Sequence, residues 1–309
     1  MRLASFIARL PDGFRITLAD VGSAGGLHRR WQGLRPVVAG LLFEPREGGE
    51  VRQEGPDTIY PIGLGPSAGR ATLNLTAMAN MSSTLEPDAD EFRRYAKKAD
   101  HARLVGTIEM GVDTLDAIAA RDGLRIDALK VDTQGSELGI LEGARRCLAG
   151  SVVMAEVEVS FFRRYRHQPL LCDVAEFMAT CGFELVDLYR LKRYRWANRS
   201  AIGNLSMGGG QRAGRLAYGD AIFFLTESEL RARIEAAAPG EAQHIVLGAI
   251  TALLGYGKAD MAAHVWDLHR DRVDDPHRAR LTEWFARLGA RPTGSGVLHH
   301  LADYLSRHV

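Results

Sequence analysis

Three short stretches of this chain place acids and glycines where a nucleoside-like ligand could use them. The first is Asp20-Val21-Gly22-Ser23-Ala24-Gly25-Gly26. Glycines at a strand-to-helix turn let a ligand approach the backbone and meet its amide groups. The second is Phe43-Glu44-Pro45. An acid at the end of the next strand can accept hydrogen bonds from both hydroxyls of a ribose. The third runs from Leu129 through Lys130, Val131, Asp132, Thr133, Gln134, Gly135 and Ser136 to Glu137. Asp132 closes an apolar strand there, and open α/β sheets bind their ligands at that carboxyl edge. A dinucleotide fingerprint starting at Gly22 would need glycines where the chain has Ala24 and Leu27. Pyrophosphate binding is therefore disfavoured.

The elements that must hold these residues follow from hydrophobic patterning. Residues 16–21, 37–43 and 58–62 read as buried strands, and 27–33 as a short helix. From 63 to 112 the pattern changes. Turn signals and an alternating stretch at 72–76 predict a partly antiparallel insertion over the carboxyl edge, with a helix near 90–98. Regular alternation then resumes. Asp113 is the expected helix cap, with Asp116 in the first turn. A strand at 129–132, a helix at 136–148, a strand at 152–159 and a helix at 170–181 follow, with Gly182 as its C′ residue. Strands at 183–188 and 221–225 complete an expected seven-stranded, mostly parallel, doubly wound α/β sheet. Between them lies a long loop whose Gly208-Gly209-Gly210 could form a lid. Residues 228–309 read as helices only. The expected division is a ligand-binding domain at 1–227 and a helical extension at 228–309.

The motifs occur together and in order. Asp20-Val21-Gly22, Phe43-Glu44-Pro45, Thr114-Leu115-Asp116, the stretch from Leu129 to Glu137, and Glu156-Val157-Glu158-Val159 resemble the FkbM-type methyltransferases. Ser82-Ser83 and Gly182-Phe183 add to the likeness, which covers roughly residues 15–226. The resemblance implies a class I, Rossmann-like methyltransferase fold. It also implies S-adenosyl-L-methionine bound by the turn from Asp20 to Gly26 and by Asp132, with the ribose on Glu44. Gly22, Ser23 and Gly26 are the expected turn contacts. Family members methylate hydroxyls of sugars, polyketides or related secondary metabolites. A hydroxyl is a weak nucleophile, so a nearby base helps. Asp132 is the candidate base, or the residue that orients one, with Glu156 and His167 as candidate neighbours. Lys130, inside a strand, is expected to pair with Glu156 or Asp20. Glu137 suits a helix N-terminus.

Composition narrows the alternatives. The chain has 309 residues, a formal net charge of +1 and 25% charged residues, so no global field points to nucleic acid. The longest apolar run, 245–256, is too short to span a bilayer. Cys147, Cys172 and Cys181 form no metal-ligand pattern, so reduced thiols, a cytoplasmic location and no metal are expected. The acceptor is expected to be a small molecule or glycan, and a homodimer is possible. Two other readings stand beside the transferase. A nicotinamide-dependent oxidoreductase suffers from the failed fingerprint. A non-catalytic S-adenosylmethionine-binding module would use its helical tail to bind a partner.

Overall fold

The computed structural model describes residues 2–23, 25–200, 202–203 and 212–290. The lid expected at Gly208-Gly209-Gly210 and the end of the predicted tail lie outside these residues. Among the described residues there are eleven strands: β1 (Ile16–Val21), β2 (Val38–Phe43), β3 (Arg52–Glu54), β4 (Asp57–Tyr60), β5 (Gly63–Leu64), β6 (Gly69–Thr76), β7 (Leu104–Asp113), β8 (Ala128–Val131), β9 (Met154–Ser160), β10 (Phe183–Tyr194) and β11 (Arg215–Leu225).

The main sheet has eight strands in the order β10-β11-β9-β8-β1-β2-β4-β3. Its middle is the expected parallel array, since β4, β2, β1, β8 and β9 pair parallel with their neighbours. Its flanks are antiparallel: β11 on β9, β10 on β11, and β3 on β4. The sheet is therefore mixed, with eight strands rather than a mostly parallel seven. The additional strand, Arg-Gln-Glu, is a polar and largely exposed edge that folds back on β4 through Gly55-Pro56. It carries no apolar run that would announce it.

Chain order reverses beside β1, which lies between β2 and the much later β8. That is the switch point at which an open α/β sheet leaves a crevice at its carboxyl end. The insertion forms a separate three-stranded sheet, β5-β7-β6, with β6 and β7 antiparallel. It lies over that crevice, as its contribution to the cavity described below shows.

Local chemistry explains three further differences. The helix Leu115–Asp122 is capped by Thr114, whose Oγ1 accepts from the Ala117 amide at 3.0 Å, and not by Asp113. The segment predicted as one helix at 136–148 is two, Glu137–Glu142 and Arg145–Gly150. Between them Gly143 approaches the backbone so closely that a Cβ would sit 2.1 Å from the Gly65 carbonyl oxygen. Residues Arg29–Val37 wind as a 3₁₀ helix, in place of the short helix expected at 27–33.

After β11 come the helices Glu227–Ala236, Pro239–Gly255, Ala259–His269 and Asp275–Gly289. The second is buried along most of its length and shares one hydrophobic core with the strands. Gly255 lets it approach Trp31 and Leu34 closely, since a Cβ there would lie 3.0 Å from Leu34 Cδ1 and 3.3 Å from the Trp31 ring. Each fully buried Leu or Ile contributes roughly 1.5–3 kcal/mol, so these helices belong to the same packing unit as the sheet. No helix among the described residues is long and apolar enough to cross a membrane.

Candidate functional site

A cavity of about 360 Å³ opens over the carboxyl ends of β1, β2, β8 and β9. Gly22, Glu44, Asp132 and Glu158 line one side of it, and Leu73, Met81 and Met110 from the insertion line another. This volume lies in the range of small-molecule sites.

The glycine turn is tied to the neighbouring strand. The Gly22 amide donates to the Phe43 carbonyl at 2.9 Å, and the Asp132 amide donates to the Val21 carbonyl at 3.0 Å. Gly22 has φ +82°, and a Cβ there would lie 2.1 Å from the Asp132 carbonyl oxygen. Only glycine satisfies both conditions. Glu44 is 4% exposed and is held by Arg46, which donates from Nε to Oε1 at 2.8 Å and from a terminal nitrogen to Oε2 at 2.9 Å. Burial alone would raise the Glu44 carboxyl, but the Arg46 bonds hold it below the ordinary glutamate value.

The second half of the site is a row of acids. Gln134 donates from Nε2 to Asp132 Oδ1 at 3.1 Å and to Glu158 Oε2 at 2.9 Å, so one amide bridges two carboxylates. To do so Gln134 takes a left-handed conformation, φ +61°. Glu137 fixes that turn, because its Oε1 accepts from the Thr133 amide at 3.0 Å and the Gly135 amide at 2.9 Å. The predicted helix-start acid is thus a buried brace for the residues that line the cavity. Burial and the Asp132 charge push the Glu158 carboxyl up to about 8, against the pull of Arg164. Arg164 is 1% exposed and donates to Glu158 Oε1 at 2.7 Å. Next in the row is Asp220, opposite Glu158 in the β11–β9 register. Its carboxyl is pushed up to about 6 by burial and the Glu156 charge.

One step deeper on the same strands lies another polar layer. Lys130 donates to Asp20 Oδ1 at 3.0 Å, the pairing expected from sequence. Glu156 accepts from Arg30 at 2.9 Å and from the Tyr256 hydroxyl at 2.5 Å. Tyr256 comes from the helical tail, which thereby reaches under the site.

The expected site residues separate accordingly. Gly22, Glu44 and Asp132 line the cavity. Asp20 lies beneath it, on Lys130. Ser23 is buried, its Oγ without a hydrogen-bond partner among the described residues, and Gly26 is exposed at φ +94°. Neither lines the cavity. His167, the other candidate, is exposed at φ +58° in the turn after β9 and is not among the residues that line the cavity. The buried member of that turn is Gln168, which accepts from the Arg164 amide at 2.8 Å. Glu156 faces the deep layer, and its neighbour two residues on, Glu158, takes the place next to Asp132. Gln134, from the third sequence motif, also lines the cavity, as do Arg164, Lys98 and Lys192 from outside the motifs. Among the described residues no group of three or more His, Cys, Asp or Glu could hold a metal ion.

No curated protein matches the chain. Among solved structures it is similar to the methyltransferase FkbM from Methylobacillus flagellatus KT, at 13% identity and a TM-score of 0.35. The match covers 68% of this chain and 43% of that one, so the chain spans less than half the length of that protein. The model of the methyltransferase FkbM domain matches residues 24–185, more than half of the chain. The chain belongs to the FkbM methyltransferase family.

Proposed function

We propose that this methyltransferase uses S-adenosyl-L-methionine and delivers the methyl group to a hydroxyl of a sugar, polysaccharide or secondary metabolite. One observation carries the reading: a single cavity brings together a glycine turn, a ribose-type acid and a carboxylate pair, from Gly22, Glu44, Asp132 and Glu158. The residues fit the cofactor. The Gly22 turn is bare of side chain by steric necessity. Glu44 presents an ionised carboxylate at the cavity wall, where ribose hydroxyls would compete with Arg46 for its oxygens.

When bound, the cofactor supplies an electrophilic methyl on a sulfonium. This chain's residues then have two tasks. They hold the acceptor oxygen in line with the methyl, which is most of the work in such a displacement. They also take the hydroxyl proton as the new C–O bond forms. Glu158 suits the second task, because a carboxyl with a value near 8 is a stronger base than an ordinary one. Asp132 orients it through the shared Gln134 amide. Arg164 holds the other Glu158 oxygen and fixes the direction of the free lone pairs.

Calorimetric titration with S-adenosylhomocysteine tests the reading. Micromolar binding to the wild type, weakened about tenfold or more in Glu44→Ala by loss of charge-assisted hydrogen bonds, is expected. Absence of binding to the wild type contradicts it.

A further inference from the structure

The charges around the cavity do not cancel locally. Among the described residues five basic side chains line it against four acids. Three of the five are paired there: Arg46 with Glu44, Arg164 with Glu158, and Arg190 with Asp220 at 3.4 Å. Lys98 and Lys192 are not paired with any carboxylate among the described residues. Lys98 comes from the insertion, and its Nζ lies 4.4 Å from the centre of the Tyr194 ring. Lys192 stands two residues before Tyr194 on β10 and lines the same cavity. Tyr218, its register partner on β11, faces the Arg164 guanidinium at 4.3 Å.

A half-buried ammonium beside a buried guanidinium, with no counterion, is an unfavourable arrangement on its own. Burial and the Arg164 charge both lower the Lys98 value. A solvated surface lysine would relax away from such a neighbour. Lys98 instead keeps its head over an aromatic face, toward the cavity. A bound anion would relieve the repulsion and meet two donors of strong charge-assisted bonds.

We propose that the methyl acceptor carries an anionic group, a carboxylate or a phosphate, and that Lys98 and Lys192 bind it beside Tyr194. The inference rests on the methyl-transfer reading above and adds the chemical class of the acceptor. The anion sits on the lysine side of the cavity, and the hydroxyl to be methylated points at the Asp132–Glu158 pair. Neutral analogues of the same acceptor would lose both charge-assisted contacts.

The test is titration of the full chain, saturated with S-adenosylhomocysteine, with glucuronate, inorganic phosphate and uncharged glucose. The expected result is that at least one anion binds, at least about tenfold more tightly than glucose. Which anion binds better separates a carboxylate from a phosphate. Lys98→Met should weaken that binding about tenfold, and Lys98→Arg should restore most of it, with S-adenosylhomocysteine affinity unchanged in both. Equal binding of glucose and the anions, no anion binding at all, or an unaltered Lys98→Met variant overturns the proposal. If S-adenosylhomocysteine fails to bind, the methyl-transfer reading fails by itself. Anion titration of the unloaded chain still tests the lysine pair.

Discussion

Two polar layers sit on the same face of the same strands, two residues apart, and they behave oppositely. The deep layer holds Asp20 on β1, Lys130 on β8 and Glu156 on β9. Its charges are matched, Lys130 on Asp20 and Arg30 on Glu156, and the helical tail seals it through Tyr256. The rim layer holds Gly22, Asp132 and Glu158, with Asp220 on β11 opposite Glu158. Its acids outnumber their fixed partners, its turn is left-handed, and it faces a cavity. The difference teaches where the fold places stability and where it places chemistry. The inner charges are neutralised so that the sheet can bury them. Of the outer ones, Glu158 and Asp220 face a cavity with carboxyls pushed up in value, the kind of group that clusters at functional sites.

If the comparison holds, substitutions in the two layers separate stability from activity. The largest effect is expected for Lys130→Met, which leaves the Asp20 carboxylate buried without its partner. A loss of about 3–5 kcal/mol of unfolding free energy is expected by urea denaturation. A change under about 1 kcal/mol would show that the deep pair is not structural. In the rim, Glu158→Gln should lower turnover about 10²-fold or more, beyond any loss of stability from leaving Arg164 without its carboxylate. Asp132→Asn should also lower turnover, with S-adenosylhomocysteine affinity largely kept. Full turnover in both variants would remove the proton-transfer role from this layer. A smaller effect is expected at the seal between the layers. Tyr256→Phe removes the hydroxyl bond to Glu156 and should cost about 1–3 kcal/mol, with turnover reduced little.

A further expectation is a dependence on pH. Glu158 titrates near 4.5 when solvated and is pushed up to about 8 in the fold, so the folded state favours its neutral form. That stabilisation is complete below about 4.5 and is lost as pH rises through about 8. Asp220, pushed up to about 6 from 3.8, adds to the same slope. Stability should therefore fall from mildly acidic to mildly alkaline solution, and Glu158→Gln should flatten part of the fall. Turnover should run the other way, rising toward pH 8 as Glu158 loses its proton.

Much of this was legible in the residues. The glycine turn, the strand ending in Glu44 and the strand ending in Asp132 are local patterns, and each marks its own position. The insertion was legible as a break in those patterns. The acid next to Asp132 was not. Glu156 and Glu158 share one face of one strand. Only the register, Val131 opposite Val157, decides which of them reaches the rim. Register is a property of pairing between distant segments. His167 looked available because it follows a strand end, yet the turn there is held by Gln168 and presents the histidine outward. Lys98 and Lys192 come from the insertion and from β10, and single-sequence patterning does not bring those segments together. The edge strand β3 has no apolar residue to betray it.

The central claim is that the rim beside Gly22 and Glu44 is the cofactor site. A crystal structure of the chain with S-adenosylhomocysteine tests it most directly. The account predicts density for the adenosyl group beside Gly22, with the ribose hydroxyls on Glu44 and Arg46 turned aside. Density for the ligand elsewhere, with Arg46 still forked onto Glu44, would contradict it.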